Sequence, residues 1–158
     1  MSSLVVFTDG ACSANGKKNA KGGYSTVWPD HPEMDGGWPL EGDKSTNNRA
    51  EMMGLIKSFE IADVIDPERK KHLEVYTDSM FMINCVTKWL ANWKKNGFKK
   101  SDGSSVLNQD LLREIDALRL KRVLVLNHVR AHTKNTDWKS LNNAKADTLA
   151  RDACAFVS

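Results

Sequence analysis

Four carboxylates occupy settings where packing gives no reason to place an acid. They are Asp9 in Val5-Val6-Phe7-Thr8-Asp9-Gly10, Glu51 in Asn47-Asn48-Arg49-Ala50-Glu51, Asp78 in Val75-Tyr76-Thr77-Asp78-Ser79, and Asp147 in Ala146-Asp147-Thr148-Leu149-Ala150. Two lie at or near the ends of apolar strand-like runs, and two flank the apolar stripes of helices. An unpaired buried carboxylate is costly. A bound divalent cation removes that cost, and hard oxygen ligands suit magnesium and manganese. The chemistry this predicts is that of a metal-dependent nuclease site.

The elements that must carry these acids follow from periodicity. Leu4 to Phe7 is a valine-rich apolar run, predicted as a buried strand ending near Thr8-Asp9. Gly22 to Trp28 predicts a second strand, and Gly36 to Leu40 a weaker third. A helix of about 16 residues is expected from Asn47, with Met52, Leu55, Ile56, Phe59 and Ala62 at helical spacing. Leu73 to Thr77 predicts the next strand. Ser79 then caps a helix through about Leu90, with Trp89 to Lys100 as a separate feature. Leu107 to Leu120 predicts a helix and Val123 to Val129 a strand. The last helix is expected from about Asn143, with Ala146, Leu149, Ala150, Ala153, Cys154 and Val157 on one face. Three strands followed by alternating helices and strands argue for one α/β domain, a mixed sheet covered by helices. Asp9 and Asp78 would then stand at the ends of neighbouring strands, where function gathers in open α/β sheets.

Composition narrows the partners. The chain has 158 residues, 41% hydrophobic and 27% charged, as expected of one globular domain. The net charge of +3 understates its basic character once four acids are committed to a metal, and this suits a polyanionic partner. Cys12, Cys85 and Cys154 are widely separated and form no Cys-x-x-Cys pair, which argues against a disulfide framework and a zinc site. No apolar run approaches membrane-spanning length, so no membrane partner is expected. The strand-like Leu4-Val5-Val6-Phe7 leaves no room for a secretory or transit segment, and an intracellular setting, cytoplasmic or nuclear, is the expectation.

Thr8-Asp9-Gly10, Asn47-Asn48-Arg49-Ala50-Glu51, Thr77-Asp78-Ser79-Met80-Phe81, His132 and Asn143-Ala144-Lys145-Ala146-Asp147 resemble, in order, the motifs of ribonuclease H, type 1. The resemblance runs from Leu4 to about Ala153 and is closest to the catalytic domain of the eukaryotic form, particularly over Tyr76 to Gly97. It implies a ribonuclease H-like fold, a five-stranded mixed sheet flanked by helices. It also implies cleavage of the RNA strand of an RNA–DNA hybrid to products with 5′-phosphate and 3′-hydroxyl ends. Two Mg2+ ions would serve the site, with Mn2+ as a substitute. Asp9 would bridge both metals, Glu51 and Asp78 would hold one, and Asp147 the other. His132 matches the mobile histidine that assists proton transfer and product release, chemistry suited to an imidazole. The chain departs from the pattern around it: Ala131 and Lys134 replace glycines, and the segment from Lys134 to Lys139 resembles a local insertion.

The same resemblance implies a substrate track. Trp89-Leu90-Ala91-Asn92-Trp93-Lys94-Lys95-Asn96-Gly97-Phe98-Lys99-Lys100 is similar to the family's basic protrusion, whose lysines Lys94, Lys95 and Lys99 would neutralise phosphates. Phe81 and Trp89 match residues lining the DNA-strand channel; Trp93 either joins them or packs the protrusion onto the body. Thr46 and Asn108 match a pocket for a DNA phosphate, and Lys44 stands where the eukaryotic form often has arginine. Asn15, Asn47, Asn48 and Asn143 match polar contacts. Cys12, Asn15, Glu51 and Met80 match positions that read 2′-hydroxyls, the groups that distinguish RNA from DNA. Nothing resembling the family's separate hybrid-binding domain precedes Leu4, so residues 1–158 are expected to be a single catalytic domain, with monomer as the default. The competing readings are another nuclease on the same fold, a non-catalytic hybrid-binding module, and a generic α/β binding domain.

Overall fold

The first strand is longer than its apolar residues predict. In the computed structural model, which describes residues 2–13, 20–41, 45–131 and 133–154, β1 spans Ser3–Ser13. Its polar second half is held by an antiparallel ladder to β2 (Lys21–Val27) that runs from Phe7↔Val27 to Ser13↔Lys21. The parallel ladder to β4 (His72–Thr77) ends earlier, at Phe7↔Tyr76. Asp9 therefore lies inside β1 rather than at its end, at the point where the parallel neighbour has stopped. Backbone pairing to β2 carries the strand on from there, which is why no apolar pattern announced it.

The sheet is mixed and five-stranded, in the order β3-β2-β1-β4-β5, with β3 at Gly36–Pro39 and β5 at Leu124–His128. Helix α1 (Asn47–Ile65) covers one face and buries the expected stripe of Met52, Leu55, Ile56, Phe59 and Ala62 against Leu4, Val6, Leu73 and Val75. Helix α4 (Gln109–Lys121) adds Leu112 and Ile115 to the same core. Helix α5 (Trp138–Cys154) covers the other face, where Ala146 packs with Phe7 and Val27. It begins at Trp138, earlier than the apolar spacing alone predicts. The signal is a cap: the Asp137 carboxylate accepts from the Ser140 amide at 3.3 Å and from the Ser140 hydroxyl at 2.7 Å, and the Asp137 carbonyl accepts from the Leu141 amide at 3.0 Å. Trp138 then packs edge-on against Phe7, ring centroids 5.2 Å apart.

The helix capped by Ser79 and the basic protrusion are one continuous helical path rather than two features. Helix α2 (Met80–Asn84) passes through a π-helical turn at Cys85–Trp89 into α3 (Leu90–Asn96). It stops at Gly97, whose φ of 73° is the left-handed C-cap glycine adopts readily. Phe98 follows, buried, with the Arg113 guanidinium 4.1 Å from its ring centroid, which ties the protrusion to α4. Among the described residues, no helix is long and apolar enough to cross a membrane.

Candidate metal centre and nucleic-acid track

Close backbone contacts bring the acids together. A Cβ placed on Gly10 would lie 2.4 Å from the Glu51 nitrogen, so the first turns of α1 rest directly on β1 beside Asp9. On the opposite face, a Cβ on Gly23 would lie 2.5 Å from the Ala150 carbonyl oxygen, so α5 rests equally closely on β2. Ser25, opposite Asp9 in the ladder, donates to the Ala146 carbonyl at 2.6 Å and pins α5 next to Asp147. Asp78 follows the last residue of β4, the parallel neighbour of β1.

One carboxylate oxygen from each of Asp9, Glu51 and Asp78 lies within 4.8 Å of the others. Asp9 is 3% exposed and Glu51 7% exposed. Burial, then the charge of Asp78, pushes Asp9 up from 3.8 to about 8. Burial, then Asp9 and Asp78, pushes Glu51 well above the usual carboxylate range. Glu51 Oε2 is buried with no hydrogen-bond partner. Three acids that cannot all ionise without a counter-charge, one with an orphaned oxygen, fit a divalent cation well. Asp147 lines the same open cleft of about 620 Å³ but pairs with Arg151 one turn on, at 3.0 Å. Asn143 donates to Asp78 Oδ2 at a long 3.5 Å, so this residue faces the acid cluster.

Half-buried Cys12, with Asn47 and Asn48, also lines the cleft. Met80 and Phe81 are exposed just beyond Asp78, and Phe81, Trp89 and Trp93 form a chain of rings with successive centroids 5.8 and 5.9 Å apart. Trp93 also packs against the core, so it serves the body as well as the ring chain. Lys95 and Lys99 are exposed, whereas Lys94 is paired with Asp116 at 3.0 Å. Thr46 caps α1, its hydroxyl accepting from the Arg49 amide at 3.1 Å, and Asn108 precedes α4. Asn15, Lys44 and His132 lie outside the described residues. Sequence reasoning passed over two arginines at this site. Arg151 had a legible signal, the Asp-to-Arg i,i+4 spacing, and Arg49 stood inside a quoted motif without a role.

The sequence model of the RNase H family matches residues 1–155. The chain belongs to the RNase H family. It is 38% identical to ribonuclease H1 of Rattus norvegicus over 95% of its own length and 50% of the relative's. It is 35% identical to ribonuclease H of Francisella philomiragia over 98% of its length and 93% of the relative's. It thus spans about half the length of the mammalian curated relatives it matches, and nearly all of the bacterial one. The RNase H domain of prototype foamy virus, solved in solution, has the same fold: TM-score 0.75, 22% identity, 98% of this chain and 96% of that one covered. Within the family, the chain is of type 1.

Proposed function

We propose that this chain cuts the RNA strand of RNA–DNA hybrids endonucleolytically, leaving 5′-phosphate and 3′-hydroxyl ends. The observation that carries the reading is the cluster of buried Asp9 and Glu51 with half-buried Asp78, lining a cleft in an RNase H chain. Asp9, Glu51, Asp78 and Asp147 would hold two Mg2+ ions, or Mn2+ in their place, with Asp9 shared. Such cations activate the attacking water and stabilise the leaving oxygen.

The other residues bind and orient the hybrid. Thr46 and Asn108, with Lys44, hold a phosphate of the DNA strand. Phe81 and Trp89 brace that strand, and Lys95 and Lys99 neutralise phosphates beyond it. Lys94 and Trp93 support the protrusion. Cys12, Asn15, Glu51 and Met80 read the RNA 2′-hydroxyls, and Asn47, Asn48 and Asn143 make further polar contacts with the strands. Asn143 also steadies Asp78, and His132 moves a proton during product departure.

Cleavage of labelled substrates in magnesium tests the reading, comparing the hybrid with RNA duplex, DNA duplex and each single strand. RNA-strand cutting confined to the hybrid, lost in chelator, is expected. Hybrid binding without cutting in magnesium or manganese would leave a binding module instead.

A further inference from the structure

Arg49, in the first turn of α1, reaches residues at the start of α4 that are far from it along the chain. Its guanidinium forks onto the Asp110 carboxylate, with Nη1 3.0 Å from Oδ1, and Nη1 also donates to Asn108 Oδ1 at 3.3 Å. Its own main-chain amide donates to the Thr46 hydroxyl. One residue therefore engages two of the side chains that the proposed function assigns to the DNA phosphate, Asn108 through its guanidinium and Thr46 through its main chain.

The polarity of these bonds matters. A guanidinium has donors only, so the oxygen of the Asn108 amide must face it, and the NH2 group is left as a donor. The Thr46 oxygen likewise accepts from Arg49, which leaves its own proton to donate elsewhere. Asn108 adopts a left-handed backbone (φ 61°) and makes no capping bond to α4, so its side chain is not set by its own helix. Asp110, largely exposed in the first turn of α4, would repel a phosphate if its charge stood alone. Pairing with Arg49 holds the Asp110 carboxyl below the usual range.

We propose that Arg49 is a positioning residue for the DNA strand: its guanidinium turns the Asn108 NH2 group toward a backbone phosphate beside the capping Thr46 hydroxyl, and neutralises Asp110 next to them. This rests on the pocket reading above. Lysine could keep the charge but could not fork onto Asp110 and reach Asn108 together.

The test is hybrid affinity in EDTA, measured with hybrids carrying one neutral methylphosphonate linkage stepped along the DNA strand. The wild type should show one linkage whose neutralisation weakens binding about tenfold, as for hydrogen bonds to a charged group. Arg49→Ala should bind the unmodified hybrid about tenfold more weakly and lose that positional sensitivity. In magnesium its KM should rise while kcat holds. Arg49→Lys should rescue neither property, and Asp110→Asn, which weakens the fork while leaving the arginine in place, should lose part of the sensitivity at the same linkage. Circular dichroism confirms that each variant is folded. A wild-type linkage profile in folded Arg49→Ala, or full rescue by Arg49→Lys, would overturn the proposal. If the wild type shows no sensitive linkage and Thr46→Ala binds normally, the pocket itself is wrong and the positioning role falls with it.

Discussion

The two ends of β4 carry charge in opposite ways. At its start, the buried Arg122 side chain, 1% exposed, donates to Asp63 at 2.9 Å and to Asp66 at 2.7 Å, and also to the carbonyls of Asp66 and Lys71. Asp66 is held below the ordinary carboxylate range chiefly by Arg122, and Asp63 chiefly by Arg69 with help from Arg122. Past its other end, Asp78 sits within reach of Asp9 and Glu51, and both of those acids are pushed upward. One cluster balances its charge within the chain, and the other stores repulsion that a cation relieves. Burying charge is tolerable only with a partner, and the molecule supplies that partner at one end and leaves it to a ligand at the other.

The largest effect expected on this contrast is at Asp78. Asp78→Asn should cut hybrid cleavage by about 10³-fold or more, the loss of several kcal/mol of charge stabilisation. Its affinity for the hybrid should change little; a parallel loss of binding would mean that the acid shapes the substrate track instead. At the paired end, Arg122→Met should destabilise the fold by about 3 kcal/mol, because it removes a buried guanidinium and the partner of Asp66, while Asp63 keeps Arg69. Denaturant unfolding measures this, and cleavage per folded molecule should persist.

The two ends also respond oppositely to pH. Asp9 has a folded value of about 8 against 3.8 unfolded, so between those values the native state binds more protons than the unfolded one. In chelator, this end should lose stability as pH rises from about 4 to about 8. Asp63 and Asp66 are lowered, so their contribution is present above the unfolded carboxylate value and is lost as pH falls through the folded one. Melting curves across that range should therefore show the wild type declining toward pH 8 and Asp9→Asn declining less. The smallest effect is expected at Arg151, mostly exposed and paired with Asp147. Arg151→Ala should move stability by no more than about 0.5 kcal/mol. A larger loss in unfolding titrations would show that the pair holds α5 in place.

Much of this was legible in the sequence. The spacing of Met52, Leu55, Ile56, Phe59 and Ala62 placed α1, and with it Glu51, because burial on one face imposes a helical period. The four acids stood out because apolar surroundings give a carboxylate no packing role. What stayed hidden depends on contacts distant in sequence. The second half of β1 is held by ladder bonds to β2, which need no apolar alternation, so Asp9 looked like a strand end. The early start of α5 depends on the cap at Asp137 and on Trp138 meeting Phe7. Arg49 meets Asn108 and Asp110 across two helices, and its role has no local pattern at all.

The most direct measurement of the central claim is the melting temperature at pH 8 in chelator and in manganese or magnesium, for the wild type and Asp78→Asn. If the acid cluster is a cation site, the wild type gains stability with either cation. Asp78→Asn should melt higher than the wild type in chelator, with one repelling charge removed, and gain less from the cations. Equal melting of the two proteins in chelator, with no shift on adding either cation, would contradict it.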